Sequence, residues 1–385
     1  VLPTSVDWGR PLATAAQLAI DEVNDAGGLH GCTVKSVLRD TQSDPKVGVD
    51  AARSMVDLEQ VQLLLGAVAS GVTMPMLTSV TVPAGVMQMS CCSSSTAFTD
   101  LAKEGKTKGL WFRTFATTEV QATVGSMLLK EQGHKSVAIF YKNDDWGQDM
   151  GRQVAEKLSK MGINVTASVA INDAQASYQG EVVQALATRP DAIYLALYPK
   201  EGVSVVRNWI SFGGTTNMVM ANALKSDEFR DNVGLKFLSN AVGTDTSSPR
   251  VASAQSFVDL YKAKVGSEPN APGMANSYDA AMVGLLAYQA AGEGAKGADI
   301  AAAVPRVTDP DGEPITGDAA GFKKAVDILA AGGTVLYQGA TGNVQFDQNG
   351  DVSAPAVVWS FIEGGIQEQR YISLDEVAAF KAAMQ

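Results

Sequence analysis

Two short stretches combine hydroxyls with backbone amides in a way that can hold an anion. Ser70 follows an apolar run at 61–65, broken only by Gln62, and stands where a helix is expected to begin. The first amides of a helix lack intrahelical partners, and the helix dipole favours negative charge there, so Ser70 and the amides after it form an anion site. Cys92, Ser93 and Ser94 repeat the arrangement after the next expected strand, at 86–89. Three or four hydrogen bonds to a charged group, each about 1.5–3 kcal/mol and partly offset by ordering costs, are compatible with micromolar binding near −8 kcal/mol. The plainer alternative for the same residues is helix capping.

Covalent chemistry has no comparable signal. His30 and His134 are the two histidines, and neither has a metal-ligand spacing to another His or Cys. The Gly27–Gly31 turn follows a helical pattern, not a strand, so it is not a dinucleotide fingerprint, and no phosphate loop or nucleophile elbow occurs. The chain is therefore read as a non-enzyme with no metal or cofactor. Three cysteines, Cys32, Cys91 and Cys92, make no disulfide framework. A bridge between the neighbours Cys91 and Cys92 needs a strained peptide, and two buried thiols is the plainer reading. Met74, Met76, Met87 and Met89 read as core filling around this turn.

The elements that must position these residues come from a chain of 385 residues, 46% hydrophobic and 18% charged, enough for two full cores. A net charge of −11 with no Lys/Arg cluster argues against nucleic acid or an anionic membrane surface as partner. The apolar run at 280–291 falls short of the ~18 residues of a membrane span. The opening Val1-Leu2-Pro3, without Met, suggests a processed or trimmed N-terminus. The periodicity predicts a helix over 12–26 with Pro11 in its first turn, a strand at 34–38, a helix capped by Asp44-Pro45, and strands at 61–65, 86–89 and 110–115. A second series alternates helices at 119–132, 147–161, 178–187 and 202–212 with strands at 136–141, 165–170, 192–197 and 218–220. Helices follow at 252–265 and 277–291, then short strands at 334–337, 342–346 and 357–362 and a closing helix from 374. Strands alternating with helices of this length mean an α/β chain with parallel sheets covered on both faces.

Several segments carry a resemblance. They are Ala15-Ala16-Gln17-Leu18-Ala19-Ile20-Asp21-Glu22-Val23-Asn24 with Gly27-Gly28, Asp40-Thr41-Gln42-Ser43-Asp44-Pro45, Gly66-Ala67-Val68-Ala69-Ser70-Gly71, Ser93-Ser94-Ser95 before Phe98-Thr99-Asp100, and Trp111-Phe112-Arg113-Thr114. Asp144-Asp145-Trp146-Gly147, Ser277-Tyr278-Asp279-Ala280-Ala281, Gly342-Asn343-Val344-Gln345-Phe346-Asp347 and Asn349-Gly350-Asp351 follow in the same order. Together they resemble the leucine/isoleucine/valine-binding protein family of ABC transporters, across nearly the whole chain. The resemblance implies the type I periplasmic binding fold: two doubly wound parallel-sheet lobes joined by three hinge crossovers. Lobe I would be 1–117 and 243–346, the carboxylate-capturing lobe. Lobe II would be 118–242 and 347–385, the closing lobe, with crossovers near 116–119, 242–245 and 346–350.

The family implies that the Ser70 turn and the Cys92–Ser94 turn grip a ligand carboxylate. It also places Trp8, Trp146, Tyr198 and Tyr278 as cleft aromatics, which could otherwise tether loops onto the core. Family members often carry an acid where this chain has Asn222, an acceptor without charge. Asp279 and Asp7 are substitutes for that acid, and Asp279 reads equally as a structural helix residue. The implied protein is a monomeric solute-binding component of an ABC importer, periplasmic or extracellular, delivering an amino acid, branched-chain or otherwise apolar, to a membrane permease. A keto acid, aromatic acid, amide or urea as ligand, or a ligand-sensing role in a receptor or regulator, are the alternatives.

Overall fold

The structure, a computed structural model, describes residues 6–173 and 175–384, with side chains from Gly9 onward. The chain divides into two compact units: Val1–Thr117 with Ser248–Ser353, and Thr118–Ser247 with Ala354–Gln385.

The first unit starts from a three-stranded parallel sheet in the order β1 (Leu63–Leu65), β2 (Met87–Ser90), β3 (Trp111–Arg113). The central strand is buried along its whole length, as a strand covered on both faces requires. Met76, Met87 and Met89 are all buried, the filling role expected of them. The helices Val6–Asp25 and Met274–Ala291, far apart in sequence, pack together in the same apolar cluster. The first begins at Val6, ahead of Pro11. Asp44 caps the helix Pro45–Asp57, accepting from the Val47 amide at 2.9 Å.

The strand expected at 34–38 does not form. The Asn24 side chain takes both backbone groups of Val34, donating to its carbonyl at 3.0 Å and accepting from its amide at 2.7 Å. A residue whose amide and carbonyl are both held by one carboxamide has none left for a ladder.

The second unit carries β4 (Ser136–Lys142), β5 (Asn164–Ile171), β6 (Ala192–Ala196), β7 (Met218–Met220) and β8 (Ala241–Thr246), all mutually parallel. Back in the first unit, β9 (Glu313–Thr316), β10 (Val335–Gly339) and β11 (Gly342–Asn343) form a small mixed sheet. Helices Gly297–Val307 and Ala319–Ala330 and strand β9 lie in a stretch the periodicity left unassigned. The chain then returns to add β12 (Ala356–Ile362) and β13 (Gly365–Ile372), so the second unit's sheet has the order β13-β12-β8-β7-β6-β4-β5. β12 runs antiparallel to β8, with Asp245 opposite Val357. The chain passes between the units at Thr117, Ser247 and Ser353. Trp359 on β12 fills the space above Gly243, where a Cβ would fall 2.0 Å from its ring, so this crossing of strand and indole requires glycine.

Candidate functional site

In the first unit, the residues after β1 and β2 form two facing turns. Ser70 opens the helix Ser70–Met76 but does not cap it. Its hydroxyl, 1% exposed, accepts from the Ser95 amide at 3.2 Å and so ties the two turns together. Ser93 is likewise spent on the frame: its hydroxyl lies 2.7 Å from that of Thr73 and within reach of the Ala67 and Val68 carbonyls at 3.1 and 3.2 Å. The hydroxyl of Ser90 accepts from the amides of Cys92 and Ser93 at 3.2 and 3.0 Å.

The expectation that Cys92–Ser94 begin a helix is corrected. The next helix is Ala97–Lys103, and 91–96 is an irregular turn. What orients its amides is Arg113, fully buried, whose Nη1 donates to the carbonyls of Ser93 and Ser95 at 2.9 and 2.7 Å. Its Nε donates to Asp351 at 2.7 Å and its Nη2 to Thr99, which in turn donates to Asp351. In a trans peptide the carbonyl and the following amide point in opposite directions. With the Ser93 carbonyl turned to Arg113, the Ser94 amide therefore points away from it. Cys92 is half-buried in this turn, its sulfur 2.9 Å from that of Cys91 with no disulfide between them.

Tyr278 and Asp279 do not belong with these turns. Tyr278, 2% exposed, packs on Phe257 and donates its hydroxyl to the Gly317 carbonyl. Asp279, fully buried, accepts from Tyr337 at 2.7 Å, from the Ala340 amide at 2.8 Å, and from the Thr341 amide and hydroxyl at 2.7 and 2.6 Å. With four donors on two oxygens, Asp279 has no capacity left for a ligand amine. Sequence neighbourhood misled here, because both residues lie on the buried helix Met274–Ala291. The side chains of Trp8 and Asp7 lie outside the described residues.

In the second unit, the carboxyl ends of β4, β6, β7 and β8 bring five further residues to one edge of the sheet. Trp146 and Tyr198 stack with ring centroids 5.1 Å apart and planes at 25°. Asp144 caps the helix Asp145–Lys160 through the Gly147 amide at 2.8 Å. Burial pushes its carboxyl up to about 6, against the pull of that amide and of Lys142, and the Tyr198 hydroxyl faces it. Asn222 follows β7, and its amide donates to Gln121 Oε1 at 3.0 Å.

Two residues at this edge escaped sequence reasoning. Met220 pairs with Gly243, so Asp245 on β8 comes level with Asn222. Asp245 is buried; its Oδ2 meets Lys225 at 3.2 Å and its Oδ1 has no hydrogen-bond partner. Burial raises the Asp245 carboxyl, opposed by the Lys225 ammonium and the Asn222 amide. Asp144 could have been found as the cap of the helix whose first turn carries Trp146. Asp245 and Asn222 stand 23 positions apart in the chain, and only strand register joins them.

The first unit thus offers held amides and Ser94, 2% exposed, suited to an anion; the second offers an aromatic stack flanked by carboxylates and an amide. Among the described residues no cluster of three or more His, Cys, Asp or Glu could hold a metal ion, and no helix is long and apolar enough to cross a membrane.

A family model described as periplasmic binding protein matches residues 3–335. The chain is 28% identical over 366 residues to the chemotactic signal transduction system substrate-binding protein BasB of Halobacterium salinarum, covering 93% of this chain and 84% of that one. The leucine-binding protein LivK of Thermotoga maritima has the same fold, with a TM-score of 0.77, 23% identity and coverage of 97% and 98% of the two chains. A solute-binding protein of an ABC transporter from R. palustris, solved with 4-hydroxybenzoate, matches with a TM-score of 0.72 and 17% identity over 94% of this chain and 92% of that one.

Proposed function

Because the chain belongs to the periplasmic binding protein family, we propose that it captures a small carboxylate-bearing solute, an apolar amino acid, for an ABC importer. The first unit holds the carboxylate through the Ser94 turn and the amides at the start of the Ser70 helix. The second unit covers the side chain with Trp146 and Tyr198 and takes the amine with Asn222, Asp144 and Asp245. Contacts made only when both units engage the ligand shift the population toward a closed form, which a membrane permease recognises outside the cytoplasmic membrane.

The observation that carries this reading is the Arg113-held turn: a fully buried guanidinium fixes two carbonyls, and the intervening Ser94 amide therefore points away from it. A second reading, an aromatic carboxylate, is favoured by the Trp146–Tyr198 stack and by Asn222 where an acid would serve an ammonium. A thermal-shift panel of leucine, its keto acid and 4-hydroxybenzoate separates them. At about 100 times its dissociation constant a ligand adds about 2.7 kcal/mol. Leucine stabilising the chain while its keto acid does not supports the amine site. Stabilisation by 4-hydroxybenzoate alone replaces it with the aromatic acid, and no shift with any carboxylate overturns both readings.

A further inference from the structure

We propose that Cys91 and Cys92 form a reversible dithiol–disulfide site, with half-buried Cys92 as the attacking thiol and buried Cys91 as the resolving one. Three observations meet at this pair. The two sulfurs lie 2.9 Å apart, less than about 1 Å from bonding distance. Cys92 is partly open to solvent while Cys91 is buried, so a small oxidant reaches one sulfur before the other. The Cys92 sulfur also rests on Gly273, where a Cβ would fall 2.4 Å from it, and Gly273 precedes the 18-residue helix Met274–Ala291. The sulfur therefore lies at the positive end of that helix, where negative charge is favoured and a thiolate is the reactive form.

The oxidant class is a low-molecular-weight disulfide. The Cys92 thiolate attacks one sulfur of the small disulfide, a mixed disulfide forms, and the first small thiolate leaves and takes up a proton. The Cys91 thiolate then attacks the Cys92 sulfur and expels the second small thiolate. Two S–H groups become one S–S bond, and the small disulfide is reduced to two thiols.

Closing the ring must turn the peptide between the two cysteines, and that peptide carries the Cys92 amide held by Ser90. Oxidation therefore loosens the amides of Cys92 and Ser93, in the turn assigned above to the carboxylate. Only the resulting loss of ligand binding rests on the proposed function.

The test uses the full chain with Cys32→Ser, which removes the exposed third thiol. Oxidised glutathione is added, and the tryptic peptide bearing Cys91 and Cys92 is weighed. The expected product has lost two hydrogens, carries no adduct and returns to the dithiol with dithiothreitol. Adding Cys91→Ser should halt the reaction at a stable glutathione adduct on Cys92. A stable adduct in the presence of Cys91, or two thiols that stay reduced in the folded chain, overturns the proposal. Hydrogen exchange reads the coupling without a ligand: the Cys92 and Ser93 amides should exchange at least about tenfold faster after oxidation, the loss of one hydrogen bond, and unchanged rates overturn the coupling.

Discussion

The hydroxyls of Ser70 and Ser94 lie on two facing turns, and the proposed function gives them opposite duties. Ser70 gives its oxygen to a buried amide, so Ser70→Ala should lower the unfolding free energy of the ligand-free chain by about 1–3 kcal/mol, read by denaturant titration. Ser94→Ala should leave that value nearly unchanged and weaken ligand binding about tenfold, read by calorimetry. Asp144 allows a prediction on pH. Its carboxyl is raised from 3.8 to about 6, so between these values the folded chain binds a proton the unfolded chain releases. Its contribution to stability therefore falls as pH rises through that window. Asp144→Asn, which keeps the helix cap, should raise the melting temperature at pH 7 and not at pH 4. A melting curve unaltered at both values would contradict the burial argument.

Elements carry constraints that no single residue reveals. The helix Met274–Ala291 is fixed to the turn at 340–341 through one carboxylate, and Asp279→Asn turns an NH2 group against donors. The expected loss is at least about 2 kcal/mol of stability with no change in ligand selectivity, measured by denaturant titration and the thermal-shift panel. Helices were the most legible elements in the sequence, because caps such as Asp44 and apolar steps of three and four residues are local signals. The run at 34–38 has the composition of a strand, but Asn24, ten residues away, decides its hydrogen bonds. Turns were half legible. Ser70 and Cys92–Ser94 could be placed after their strands, whereas the guanidinium that orients the second turn is on β3, and its partner Asp351 is 238 positions further on. Tyr278 and Asp279 show the converse. Their motif matched a family segment, but the helix that carries them turns that face into the core.

At the scale of the whole molecule, each unit is assembled from two separated stretches of chain. A chain ending at Ser353 keeps every parallel strand of the second unit but loses β12, β13 and the Trp359 and Phe361 that fill its core. Such a chain should lack that unit's cooperative unfolding transition in calorimetry, and a normal transition would mean β8 tolerates an open edge. The parallel strands of both units were legible as two successive strand–helix series, whereas the assignment of 347–385 to the second lobe came from the resemblance alone, since short strands after 333 carry no sign of which sheet they join or that they join it antiparallel. The late return of the chain to this sheet has a consequence for how the protein is made. β8 ends at Thr246 and its second neighbour, β12, at Ile362, so 116 residues (362 − 246) must still be synthesised before that edge is paired. At roughly 5–20 residues per second this is a delay on the order of ten seconds. Throughout it the nascent polypeptide presents an unpaired backbone edge, which favours chaperone engagement and delays the setting of the second unit.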